Sequence, residues 1–177
     1  MTENEQIRAA RKFATDWLGH GDEISDSIKF WADLLQEVFD EDKPLDFIEP
    51  QKPISGHRID IYIPKTKVLI EQKSFGIDLD QKYIQSDGSN LTPFQQAKRY
   101  RDELPPSLRP RWIVTCNFAE FRIYDMFNFD SLFDPEPTPQ IIRLENLPYD
   151  YRRLNFLVDP NDDNVMPEVK ISKYARS

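Results

Sequence analysis

Apolar positions along the chain first recur at helical spacing. In "EQIRAARKFATDWL", residues 5–18, Ile7, Ala10, Phe13, Ala14 and Trp17 form one stripe, and "GHG" at 19–21 supplies a stop, predicting an amphipathic helix. A second helix is expected after Ser25 or Asp26 as N-cap. It runs through "SIKFWADLLQEVFD", where Phe30, Trp31, Leu34, Leu35 and Val38 make a wide buried stripe. From Leu45 the period shortens to two: "LDFIEP" reads as a short strand, and "HRIDIYI" and "KVLIEQK" as two more, rich in β-branched residues. Residues 74–91, with "GIDLD" and "SDGS", lack periodicity, and so long a loop is expected to border a site.

Periodicity resumes in "LTPFQQAKRYRDELPP". Thr92 is the predicted N-cap, Pro93 the first helical residue and Gln95 the reciprocal half of a capping box, with Pro105 and Pro106 ending the helix. "RWIVTC" and "EFRIYDM" then read as two strands joined tightly by "NFA". The order helix, three strands, helix, two strands predicts an α/β fold, a mixed sheet flanked by helices. Past Asp125 come an acidic, Pro-containing linker, "FNFDSLFDPEPTPQ", a possible strand "QIIRL", and the segment "YDYRRLNFLVDP".

Composition narrows the function. A chain of 177 residues, 39% hydrophobic, suits one domain with a real core. A net charge of -8 opposes strong unaided binding to nucleic acid, which needs clustered Lys and Arg. The single cysteine, Cys116, excludes an internal disulfide framework and a zinc ribbon, so a reducing cytoplasm is the expected setting. No apolar run reaches the ~18 residues of a membrane span, and the N-terminus is polar and acidic, unlike a signal peptide. With five glycines and no GxxxxGK, a phosphate-cradling NTPase loop is excluded. Of the two histidines, His20 and His57, the latter lies at the hairpin entrance and reads first as a turn or strand-edge residue.

The candidate chemistry lies in "GHRIDIYIPKTKVLIEQKS", residues 56–74. A hairpin centred on Lys65 and Thr66 sets 64 opposite 67, 62 opposite 69, and Asp60 opposite Glu71. Alternation places Ile59, Ile61, Ile63, Val68 and Ile70 on one face, and Asp60, Tyr62, Leu69, Glu71 and Lys73 on the other. Opposed carboxylates, with Cβ atoms ~4.5–5.5 Å apart, are destabilising unless something compensates. A hard divalent cation such as Mg²⁺ does so, and Lys73 could then position a water or stabilise charge on phosphate. On residues alone, the same charges also fit the solvated face of an amphipathic hairpin. Gln96 and Tyr100 share one face of the next helix, as substrate contacts or as packing residues. Lys98, Arg99 and Arg101 are candidate phosphate contacts on a face that could equally be only solvated.

Asp60, the Glu71 and Lys73 pair, and the Gln96 and Tyr100 pair, on a helix, strands, helix, strand frame, resemble the PD-(D/E)XK nuclease superfamily. More specifically, "HRIDIYIPKTKVLIEQKS", "QSDGSNLTPFQQAKRYRDELP" and "RPRWIVTCNFAEFRIYD" resemble the N-terminal cleavage domain of MmeI-like type II restriction-modification proteins, from about residue 11 onward. That family joins an endonuclease domain to a helical connector, an S-adenosylmethionine-dependent adenine-N6 methyltransferase and a target-recognition domain. The resemblance implies a Mg²⁺-dependent, or Mn²⁺-dependent, DNA endonuclease domain in a prokaryotic cytoplasm, acting on double-stranded DNA. It assigns Asp60 and Glu71 as metal ligands, Lys73 as the catalytic lysine, and Gln96 and Tyr100 as the auxiliary pair. Glu23 is the first candidate to complete the metal site and Glu37 the second. Ile59 replaces the proline that names the superfamily, and no methyltransferase motif is present. The expected layout is a nuclease-like domain over 1–145, with its N-terminal helix in 1–25 and core in 26–126. The start of the helical connector is expected over 146–177. A catalytically silent scaffold or protein-interaction module on the same fold is the competing reading.

Overall fold

The computed structural model describes residues 1–129, 132, 133 and 135–168. Helix α1 (Glu3–Trp17) is opened by Thr2, whose Oγ1 accepts the Glu5 N–H at 3.1 Å, and it buries Ala10, Phe13, Ala14 and Trp17. Helix α2 (Ser27–Asp33) follows Asp26 as expected and continues as a π-helical segment, Leu34–Val38. Among the described residues, no helix is long and apolar enough to cross a membrane.

The next element corrects the strand expected at 45–50. Pro44–Phe47 is a helical turn, α3, and strand β1 is Glu49–Ile54. Pro44, at the first position of α3, presets a helical φ. Pro50 and Pro53 cannot donate to a ladder, which is tolerable because β1 is an edge strand. Strands β2 (His57–Ile63) and β3 (Val68–Gln72) pair in the predicted register, Ile63 with Val68, Tyr62 with Leu69 and Ile61 with Ile70.

Residues 74–91 are not featureless. They carry a small hairpin, β4 (Tyr83–Ile84) and β5 (Asn90–Leu91), and are pinned from several sides. The Phe75 N–H donates to Gly21 O at 2.9 Å, Asn117 Nδ2 donates to Ile77 O at 2.9 Å, and Arg122 pairs with Asp80. Helix α4 (Pro93–Glu103) starts on the predicted capping box, with both reciprocal bonds to Thr92 present. It leads to β6 (Trp112–Cys116), which pairs parallel with β3, then β7 (Glu120–Asp125) and β8 (Gln140–Arg143). The six-stranded sheet runs β1-β2-β3-β6-β7-β8 and is antiparallel except at β3–β6.

Both faces of this sheet are packed, so the face expected to collect charges is itself a core layer. On one side, α1, α2 and the segment 147–157 cover Ile61, Ile63, Val68, Ile70 and Val114. That segment comprises a short helix α5 (Leu147–Asp150) and a 3₁₀ turn, Tyr151–Leu157. On the other side, α4 supplies Phe94, Ala97, Tyr100 and Leu104 to a layer holding Tyr62, Leu69, Ile113 and Tyr124. Ile59 lies in this second layer and not beside Ile61 and Ile63. Its change of face coincides with a break at Asp60, across from Gln51, whose φ of +53° interrupts the extended course of β1. The expected linker, 127–140, partly lies outside the described residues, as do 169–177 of the expected connector.

Candidate active site

The β2–β3 ladder opens one residue beyond the Ile61–Ile70 pair. There Asp60 Oδ2 accepts the Gln72 N–H at 2.9 Å, taking the place a strand carbonyl would otherwise fill. Asp60 and Glu71 thus converge at the end of the paired region, where each carboxyl group perturbs the other. Glu71 is only 2% exposed, and its Oε2 is buried with no hydrogen-bond donor among the described residues. Burial, followed by the neighbouring Asp60, holds the Glu71 carboxyl well above the usual carboxylate range despite Lys73. Burial also raises Asp60, against the opposing pull of the Gln72 N–H.

Lys73 follows on the same strand, with its backbone N–H bonded to Cys116 O at 2.8 Å. Its Nζ sits 3.2 Å from Glu71 Oε1 and donates to Gln96 Oε1 at 3.1 Å. Burial acts to lower its pKa, but Glu71 and Glu23 prevail and raise it, so Lys73 is held as a cation. Gln96 Nε2 in turn donates to the Tyr100 hydroxyl at 2.9 Å, one turn along α4. The auxiliary pair and the lysine are therefore one hydrogen-bonded chain.

A cleft of about 400 Å³ runs over this centre, lined by Glu23, Gln51, Asp60, Glu71, Lys73 and Gln96 among others. Glu23 stands at its rim, with its N–H donating to Ser74 Oγ at 2.9 Å. Partial desolvation raises the Glu23 carboxyl, Lys73 lowers it, and Asp60 raises it again. Glu37 is elsewhere, on the π-helical segment and 3.8 Å from Lys12. Among the described residues, no group of three or more His, Cys, Asp and Glu side chains is arranged to hold a metal ion. The centre is a carboxylate pair plus a lysine, with Glu23 set apart at the rim.

The three candidate phosphate contacts separate. Lys98 pairs with Asp102 at 2.7 Å, and Arg101 is turned inward to Pro110 O at 2.5 Å. Arg99 faces the β4–β5 hairpin, 2.5 Å from Asp87. Sequence reasoning missed Gln72, the residue between Glu71 and Lys73. Its side chain is fully buried, accepts Trp31 Nε1–H at 2.7 Å and donates to Lys73 O at 3.0 Å, while its backbone holds Asp60. A signal existed: a buried tryptophan in a core stripe needs an acceptor for its indole N–H.

Fold and site together define a mixed α/β domain that carries a carboxylate pair, Glu71 buried and Asp60 partly so, and a lysine cation where its sheet pairing opens. The chain belongs to the MmeI N-terminal domain family, whose model, "MmeI, N-terminal domain", matches residues 8–170. No curated protein and no solved structure matches it.

Proposed function

We propose that this chain is the DNA-cleaving domain of a restriction-modification enzyme, a metal-dependent endonuclease of the PD-(D/E)XK type. The observation that carries this reading is the buried, donorless Oε2 of Glu71 beside Asp60, in a cleft that also holds the Lys73 ammonium. An acceptor buried against another carboxylate fits a cation, and Asp60 and Glu71 would hold it, with Glu23 lining the same cleft but set apart from the pair. Mg²⁺ is bound through one or two carboxylates plus water and substrate phosphate, so two ligands suffice; when bound, it supplies Lewis acidity at the scissile phosphate.

The chain's own residues account for the remainder. Lys73, kept cationic by Glu71 and Glu23, places a positive charge where phosphate oxygens gain negative charge, and acts as an electrostatic stabiliser, not a base. Gln96 fixes the Lys73 Nζ, and Tyr100 fixes Gln96. Gln72, anchored by Trp31, holds Asp60 through its backbone N–H and ties the Lys73 carbonyl through its side chain. In this reading, sequence recognition and most DNA affinity belong to a helical connector, beginning within 146–177, and to methyltransferase and target-recognition domains in a longer prokaryotic cytoplasmic polypeptide. S-adenosylmethionine would serve those domains alone. The net charge of -8 accords with weak intrinsic DNA affinity here.

The test is plasmid nicking by excess protein with Mg²⁺ or Mn²⁺. Glu71→Ala and Lys73→Ala are each expected to slow nicking by about 10²-fold or more. If both variants nick at the parent rate, the nuclease reading is wrong. A silent scaffold would also bind no divalent cation at millimolar levels, which titration calorimetry distinguishes.

A further inference from the structure

The hydrogen-bonded chain from Lys73 through Gln96 to Tyr100 does not end at the cleft. The Tyr100 ring lies against His57, with centroids 5.3 Å apart and planes at 30°, and His57 Nε2 is 3.4 Å from an Arg99 Nη. A continuous track of polar and aromatic groups therefore runs along one side of α4, from the lysine to Arg99.

At its far end an anion is already bound. The carboxylate of Asp87 receives the Arg99 guanidinium at 2.5 Å, the Ser89 hydroxyl at 2.5 Å and the Ser89 N–H at 2.9 Å. A second Arg99 nitrogen donates to Ser89 Oγ at 3.1 Å. Guanidinium, hydroxyl and backbone amide converging on one point are the donors that proteins use for phosphate, and a guanidinium fork accepts carboxylate and phosphate alike. Asp87 is carried on the turn Gln85–Ser89, closed by the Gln85 N–H to Ser89 O bond at 2.7 Å, between strands of two residues each. The pair is open to solvent, with side-chain exposures of 32% for Arg99 and 42% for Asp87, where ion pairs are weak and screened. Rotation of Asp87 about its side-chain bonds would leave the Arg99 and Ser89 donors in place.

We propose that the Arg99 guanidinium and the Ser89 hydroxyl and N–H form a second phosphate site for the DNA strand lying in the cleft, occupied by Asp87 as a carboxylate surrogate until DNA displaces it. This inference rests on the nuclease reading and adds a docking point and a built-in competitor to it. Lys98 and Arg101, committed to Asp102 and Pro110 O, take no part.

The experiment is fluorescence anisotropy of a short labelled DNA duplex with the whole chain, in buffer free of divalent cations so that binding is measured without cleavage. Salt is varied between about 50 and about 200 mM. Asp87→Asn is expected to tighten binding about threefold, the scale of releasing an exposed ion pair. Asp16→Asn is the charge-matched control: it removes the nearer of the two carboxylates beside Lys12 on α1, across the sheet from α4, and is expected to change binding less. Arg99→Gln is expected to weaken binding and to reduce the slope of log affinity against log salt by about 0.9. In the double variant the Asp87→Asn gain should vanish. Equal effects of Asp87→Asn and Asp16→Asn, or an unchanged salt slope in Arg99→Gln, overturn the second site. Either result leaves the nuclease reading standing if Glu71→Ala and Lys73→Ala still abolish nicking, so the two failures are separable.

Discussion

Replacing Glu71 by Gln is expected to stabilise the cation-free protein while removing the nicking activity proposed for it. Gln has nearly the same shape, but its Nε2–H can donate to Asp60 from the position where Oε2 now finds no donor. A buried polar group without a partner costs about 1–3 kcal/mol. Against this stands the lost charge on the Lys73 contact, 3.2 Å long, worth about 1 kcal/mol. The net gain is on the order of 1 kcal/mol, which for a domain of this size raises Tm by about 2–4 °C. The pH dependence has a definite sign. Glu71 titrates above its ordinary value of 4.5, so its contribution to stability is fully present below that pH and is lost as pH rises through its folded pKa. The advantage of Glu71→Gln should therefore be small near pH 5 and larger near pH 7.5. Thermal melts followed by circular dichroism in chelator-containing buffer measure both effects. Added Mg²⁺ should then raise the Tm of the parent but not of the variant, because a ligand stabilises only the form that binds it. A lower Tm for Glu71→Gln near neutral pH, or a gap that does not grow with pH, would refute the account of a frustrated carboxylate pair.

Other substitutions probe the supports of the site. Trp31→Phe removes the indole N–H and leaves the buried Gln72 Oε1 without its donor, so denaturant unfolding should show a loss of about 1–3 kcal/mol, with slower nicking. Gly21→Ala should destabilise by at least ~2 kcal/mol in the same assay. A Cβ there would lie 2.2 Å from Phe118 Cγ, in a ring packed against Trp17 and Phe30, and Gly21 has φ of +147°. Burial pushes the Cys116 thiol up to about 12, so iodoacetamide should label the native protein negligibly at neutral pH and the unfolded chain readily.

Much of the frame can be read directly from the residues. The Thr92 capping box, the stripes of α1 and α2 and the β2–β3 register all appear where local pattern puts them. Each depends on residues a few positions apart, where helical period, capping chemistry and turn length act without knowledge of the rest of the chain. The pairing of Asp60 with Glu71 and Lys73 was foreseeable for the same reason, since one hairpin carries all three. Beyond that range, pattern misleads. Pro44 and the edge position of β1 shifted the first strand, because which strand lies at an edge is a property of the whole sheet.

Only tertiary packing covered the second face with α4 and moved Ile59 across the sheet. It also brought Trp31 to Gln72 across 41 positions, and Arg99 to Asp87 across a loop without periodicity. Charge and spacing nominate a carboxylate pair and a lysine. Whether those carboxylates are solvated or buried against each other depends on what packs over them, and packing is decided by contacts distant in sequence. The sequence determined which groups meet on the hairpin; the tertiary structure, by withholding water from Glu71, decided that its carboxyl is held well above the usual carboxylate range.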